Sequence, residues 1–253
     1  MERVICLLIG YACGLIQTGF IVGKIKGIDI REYGSKNAGT TNVLRTMGAK
    51  YGIIVFIGDA LKCILAVELC YLFFHTSCSD TIRLLQLYAA AGTILGHNYP
   101  FYMKFRGGKG IASTAGFVIS MGPIFVLFGV VTFFTTFFLT NYVSLGSILV
   151  YVGLFIEIVI FGENGYFGFP PEMERACLNE FYLVFAALFV LAMFRHKENI
   201  KRLLHHNERK THIFGKPEID LDAQEKEGEI ETETDSETNP ENNPDQNEEP
   251  SED

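Results

Sequence analysis

The sequence predicts an all-α membrane protein of about seven transmembrane helices, with its N-terminus outside and its C-terminus in the cytoplasm. Three observations carry that reading. Apolar residues make up 49% of the 253-residue chain and Phe alone numbers 22, too greasy for a soluble domain that also carries a heavily charged end. Residues 4–22 include no charge, and at ~1.5 Å per residue such a helix crosses an apolar core ~30 Å thick. Polar, basic segments alternate with further runs of this kind, and they share a site only if they open on one side of the membrane.

Residues 4–22 read as the first span. A cleaved signal peptide is the competing reading, but Glu2 cancels Arg3, and Gln17-Thr18-Gly19 lacks the small-x-small cleavage pattern. Further apolar runs occupy residues 53–74, 84–96, 111–140, 145–161 and 178–194. Residues 111–140 as a single helix would span ~45 Å, too long for one crossing. A break at Gly122-Pro123, a turn followed by a residue suited to a helix start, makes two crossings of it and seven in all. Loop charges agree. Lys24, Lys26, Arg31, Lys36, Arg45 and Lys50 fall in the first loop, Lys104, Arg106 and Lys109 in the third, and Arg195, Lys197, Lys201 and Arg202 after the last span, whereas the opposite loops are mainly acidic. The positive-inside rule places the basic segments in the cytoplasm.

Residues 220–253 carry 15 acids and one base, Lys226, so residues 1–219 keep 20 of the 21 bases and 14 of the 29 acids, a net charge of +6. The overall charge of -8 therefore describes the end of the chain. A stretch so poor in apolar groups and so self-repelling cannot offset its ordering entropy and reads as disordered. The expected organisation is a membrane domain over residues 1–213 and an acidic cytoplasmic tail over 214–253. Within the second span stand Asp59, Lys62 and Glu68. Asp59 and Lys62, three apart on one helix face, can neutralise each other; Glu68 lies on another face.

Three segments concentrate small, amide and basic residues: 34–45, 96–110 and 196–202. Gly107-Gly108-Lys109-Gly110 opens a helix, where free N–H groups and the helix dipole favour an anion and Lys109 adds fixed positive charge. It is not a nucleotide-binding P-loop, because Gly110 follows Lys109 and Met103 stands where the first glycine is needed. In the first segment Ser35, Thr41 and Asn42 can hydrogen-bond phosphate or hydroxyl oxygens, and the Arg45 guanidinium can grip two phosphate oxygens at once. His196 and Asn199, three apart on a helical continuation, point the same way.

Together these segments resemble the bacterial acyl-phosphate:glycerol-3-phosphate acyltransferase family, integral membrane enzymes of phospholipid synthesis. The pattern G-S-x-N-x-G-x-T-N-V-L-R-T-x-G stands at residues 34–48, G-H-N-Y-P with F-x-G-G-K-G at 96–110, and H-x-E-N-I-K-R-L at 196–203. The resemblance covers residues 4–211; many relatives carry Gly where Lys36 stands, Ala at Thr40, Gly at Cys63 and Arg at Asn141. It implies seven helices in a bacterial plasma membrane, an active site facing the cytoplasm, and a chain working as a monomer amid membrane lipid. The implied reaction moves an acyl chain from acyl-phosphate to the 1-hydroxyl of glycerol 3-phosphate, giving lysophosphatidic acid and phosphate. Ser35, Arg45, Lys104 and Lys109, with Gly107 and Gly108, are then expected to bind phosphate, and Thr41 and Asn42 to shape the loop. His97, His196 and Asn199 orient the hydroxyl and stabilise the developing oxyanion; Ser144 is a weaker candidate for substrate contact. An acyl-phosphate is already activated, so no covalent acyl-enzyme is required, and the proton goes to a histidine or to the donor's own phosphate.

Other readings are weighed against this one. His75 and Asp80 match the H-x4-D signature of a different acyltransferase superfamily, but on the loop predicted outside. A membrane transporter of a phosphate-bearing anion would bring charged or broken-helix sites to mid-membrane, whereas these motifs cluster at one surface. A basic lipid-binding scaffold leaves Ser35, Asn42, His97 and Asn199 unexplained. Nothing indicates nucleic acid, and His205, His206 and His212 lack zinc-ligand spacing, so neither metal nor cofactor is expected. Cys78 and Cys177 fall in outer loops, where an oxidising compartment would pair them.

Overall fold

In the computed structural model, which describes residues 1–169, 173–212, 215 and 217–219, the first apolar stretch is two helices where the sequence predicts one. These are α1 (Glu2–Gly14) and α2 (Thr18–Ile25). The break has a polar cause. Gln17 is 1% exposed, and its Nε2 donates to the carbonyls of Gly14, Gly96 and His97 at 3.1, 3.3 and 3.2 Å. Helix ends in an apolar medium have no water to satisfy their last carbonyls. One buried amide serves two ends, those of α1 and of α5 (Ile82–Asn98).

α1 and α5 run parallel and touch backbone to backbone. Each carries a small-xxx-small pair, Gly10 with Gly14 and Gly92 with Gly96. A Cβ added at any of the four would strike the carbonyl of Ala89, Thr93, Leu7 or Tyr11 respectively. Because lipid is as apolar as a side chain, close packing is what holds such helices together.

α4 (Ala49–Phe74) packs on α1, α5 and α6 (Ile111–Met121). The predicted break at Gly122 is present. Its φ of +127° is one that glycine adopts at little cost and a residue with a side chain does not, and Pro123 starts α7 (Pro123–Thr140) at the position where a missing N–H does no harm. α7 lies on α8 (Val143–Asn164), and α8 on α9 (Arg175–Arg195). Two short helices complete the α-helices of the described residues, α3 (Thr40–Met47), which the sequence reading leaves as loop, and α10 (Lys197–Leu204), the expected continuation.

Among the described residues no strand occurs. Four stretches are long and apolar enough to cross a membrane: Glu2–Ile25, Pro123–Thr140, Val143–Asn164 and Arg175–Arg195. α4 has 26 residues but carries Asp59, Lys62 and Glu68; α5 has 17 and α6 has 11. Glu68 is exposed on α4, and nothing in the structure explains it. All six cysteines, Cys78 and Cys177 included, carry free thiols. The compact unit of the described fold runs to Glu218; the acidic tail over residues 220–253 lies outside the described residues.

Candidate active site

A cavity of about 620 Å³ opens among α3, α4, α6, α7, α8 and α10, within the usual range for small-molecule sites. Its two ends differ. One is polar and basic, with Ser35, Thr41, Asn42, Arg45, His97, Lys109, Ser144, His196, Asn199 and Arg202 on its wall. The other is a slot of aliphatic and aromatic side chains that include Phe56, Ile119, Val130, Phe133 and Phe134. The structure thus brings residues from all three motifs to one mouth, together with Ser144 from the start of α8.

The first motif is organised by Asn42. It is buried on α3; its Oδ1 accepts from the Ser35 N–H at 2.6 Å and the Ser35 hydroxyl at 2.9 Å, and its Nδ2 donates to the carbonyls of Ile30 and Tyr33. One side chain thereby sets the curve of the loop. Arg45, one turn further along, does not stand with an open fork. Its Nε and Nη2 donate to Thr211 Oγ1 at 2.9 and 2.6 Å, and Nη2 also donates to the Arg209 carbonyl at 2.9 Å.

The second motif corrects an expectation. The N–H groups of Gly107 and Gly108, predicted to be free for an anion, donate to the carbonyls of Asn98 and His97 at 3.1 and 3.0 Å. Their carbonyls accept from Arg195 Nη2, whose guanidinium also lies over the Tyr99 ring at 5.2 Å. The glycines are needed for closeness instead, since a Cβ on Gly107 would strike the His97 carbonyl and one on Gly108 the His97 Nε2. The free donors sit just beyond. Thr114 N–H makes the first bond of α6, to Gly110 O at 2.8 Å, which leaves the N–H groups of Ile111, Ala112 and Ser113 unspent at the helix N-terminus. Lys104 is exposed and off the cavity wall.

The third motif closes the mouth. Lys109 Nζ donates to Asn199 Oδ1, and Asn199 Nδ2 to Glu208 Oε1 at 2.9 Å. Arg202 Nε donates to the other Glu208 oxygen, also at 2.9 Å. Burial depresses the Lys109 ammonium to about 8 despite nearby Glu208, and burial likewise lowers Arg45. His196, 2% exposed, donates Nδ1–H to the Ala192 carbonyl at 2.8 Å. Its Nε2 is left unprotonated, and burial followed by the Lys109 charge drives the ring down to about 4, so it stays neutral near pH 7. The Ser144 hydroxyl is buried with no partner among the described residues.

Sequence reasoning missed Arg195, Glu208 and Thr211. Arg195 was visible only as one more cytoplasmic charge. Glu208 carried a signal, an acid inside the basic run 205–210; Thr211 carried none. The H-x4-D pair is not assembled, because His75 bonds the Tyr71 carbonyl and Asp80 takes the Ser79 hydroxyl.

A basic, hydrogen-bonding mouth set directly on an apolar slot between helices defines a class of protein, an all-helical membrane protein that can hold an anionic group against a long apolar one. Within that class the chain belongs to the glycerol-3-phosphate acyltransferase family, whose profile matches residues 4–206. It is 39% identical over 218 residues to the glycerol-3-phosphate acyltransferase of Thermosipho melanesiensis, covering 85% of this chain and 96% of that one. It is 35% identical over 206 residues to that of Bacillus subtilis, covering 81% and 95%. The fold matches PlsY, an integral membrane glycerol 3-phosphate acyltransferase solved in its glycerol 3-phosphate form, with a TM-score of 0.70 and 30% identity over 84% of this chain and 96% of that one. A lysophosphatidic acid form of PlsY matches with a TM-score of 0.69.

Proposed function

We propose that the chain transfers a fatty acyl group from acyl-phosphate to the sn-1 hydroxyl of glycerol 3-phosphate, releasing lysophosphatidic acid and phosphate. The observation that carries this reading is the two-ended cavity, a basic mouth for two phosphates continuous with an apolar slot for one acyl chain. Arg45, Lys109 and Ser35, with the N–H groups at the start of α6, bind phosphate. Lys104, exposed and off the cavity wall, contributes by drawing anions from solution. His97, His196 and Asn199 border the reacting atoms, and Ser144 offers an unspent hydroxyl beside them.

In the reaction the hydroxyl oxygen attacks the acyl carbon, the carbon–oxygen bond to phosphate breaks, and the hydroxyl proton must leave. His196 Nε2 accepts the hydrogen bond of the hydroxyl and aims it. With His196 lowered to about 4, the departing inorganic phosphate is the stronger base and takes the proton. The same reading has seven crossings, an external N-terminus, the mouth facing the cytoplasm of a bacterial plasma membrane, and one copy of residues 1–213 sufficient for catalysis.

Purified protein given acyl-phosphate and glycerol 3-phosphate, with no metal, ATP or acyl-CoA, tests the proposal. Formation of lysophosphatidic acid and phosphate in equal amounts supports it. Robust turnover with acyl-CoA and none with acyl-phosphate overturns it.

A further inference from the structure

Against His97 lies a cluster of charged groups that the proposed reaction does not use, Asp59 on the cavity wall and Lys62 behind it. Lys62 is 2% exposed at its side chain and absent from the cavity wall. Its Nζ lies 2.6 Å from the Ile16 carbonyl, 2.7 Å from Asp59 Oδ1 and 2.9 Å from His97 Nδ1. An ammonium has three N–H donors and no acceptor. Three partners therefore consume all three donors, and the third partner, the ring nitrogen of His97, has to accept.

That count decides the tautomer. With Nδ1 accepting from Lys62, the proton of a neutral His97 stands on Nε2, at the edge that lies against Gly108. His97, which lines the cavity, is then a donor at Nε2, opposite to His196, whose Nδ1–H is spent on Ala192. Asp59 makes the arrangement tolerable in an apolar interior. It pairs with Lys62 and accepts from the Thr18 hydroxyl at 3.1 Å, while its Oδ1 lies 3.6 Å from His97 Nδ1, too far for a hydrogen bond as placed.

We infer that Asp59 and Lys62 are positioning residues of the acyl transfer: through Lys62 they hold His97 with its proton on Nε2, so that it donates to a substrate oxygen. This rests on the reading of His97 as a group at the reacting atoms. A pair that served only to neutralise two charges would not need the histidine as its third partner. Removing Lys62 alone leaves the Asp59 carboxylate as the nearest neighbour of Nδ1, which favours moving the proton there and turning Nε2 into an acceptor.

The test is the 15N spectrum of histidine-labelled protein in liposomes, with the His97 signals identified by their loss in His97→Gln. The wild type is expected to show a bare Nδ1 and a protonated Nε2. Lys62→Met should move the proton to Nδ1 and lower kcat by about tenfold or more while KM for glycerol 3-phosphate changes by less than about threefold, the pattern of a lost transition-state contact. Because Lys62→Met strands a buried carboxylate, the double variant Asp59→Leu, Lys62→Met supplies a folded comparison in which neither neighbour selects a tautomer, and a mixture is expected. A wild-type proton on Nδ1, a double variant that keeps both the single Nε2–H form and wild-type kcat, or a fall in kcat with no change of tautomer would each overturn the inference. The spectrum needs no substrate, so a protein inactive on acyl-phosphate would sink the proposed reaction and leave the tautomer to be judged by itself.

Discussion

Replacing Gly108 by Ala is the sharpest perturbation of the mouth that leaves every charge in place. The added Cβ would occupy the position of His97 Nε2, while the Gly108 N–H remains tied to the His97 carbonyl at 3.0 Å and its own carbonyl to Arg195 at 2.5 Å. The backbone is held on both sides, so the ring must yield, by on the order of 1 Å. A misplacement of that size costs ~100-fold in rate, or ~2.7 kcal/mol of barrier. The expected outcome is a folded protein with kcat reduced roughly a hundredfold and a smaller change in KM, read by steady-state acyl transfer after size-exclusion chromatography and thermal melting. Gly153→Ala is the control, since its Cβ meets only Glu157 Oε1 at 3.8 Å, and it should leave kcat unchanged. If folded Gly108→Ala kept kcat within about threefold, under ~1 kcal/mol, the claim that His97 works against this loop would fail.

Arg45→Lys keeps the charge but loses the planar fork that now spans Thr211 and Arg209; kcat/KM should drop roughly ten- to hundredfold, whereas His75→Ala should be silent, and the reverse pattern would place the chemistry in the other loop. Removing residues 220–253 should leave acyl transfer within about tenfold, while removing everything after residue 206 also deletes Glu208 and Thr211 and should abolish it; equal activity of the two truncations would show that the 207–212 segment does nothing for the site. Because Lys109 is depressed to about 8, it is cationic below that pH and neutral above, so KM for glycerol 3-phosphate should rise between pH 7 and 9, and a flat profile would remove Lys109 from phosphate binding.

Much of this architecture depends on features short in sequence. A run of apolar residues has to leave water whatever surrounds it, and residues 143–164 and 175–195 are helices for that reason. Gly122-Pro123 breaks a helix by its own dihedral preferences. The three motifs were also legible, because clustered glycine, amide and basic residues between apolar runs have few uses other than an anion site. What escaped was every feature whose cause lies far along the chain. Gln17 ends α1 because carbonyls 79 and 80 residues away, at Gly96 and His97, need a donor. Arg45 is folded onto Thr211 across 166 residues, and the Gly107 and Gly108 N–H groups look free until Asn98 and His97 are seen to accept them. The sequence by itself determined which segments are apolar helices and which polar groups stand between them, because hydropathy and backbone preference are local. Only the tertiary structure decided which donor meets which acceptor, that Lys62 reaches His97 and Glu208 reaches Asn199, because in a medium without water each buried polar group must find its partner in the folded chain.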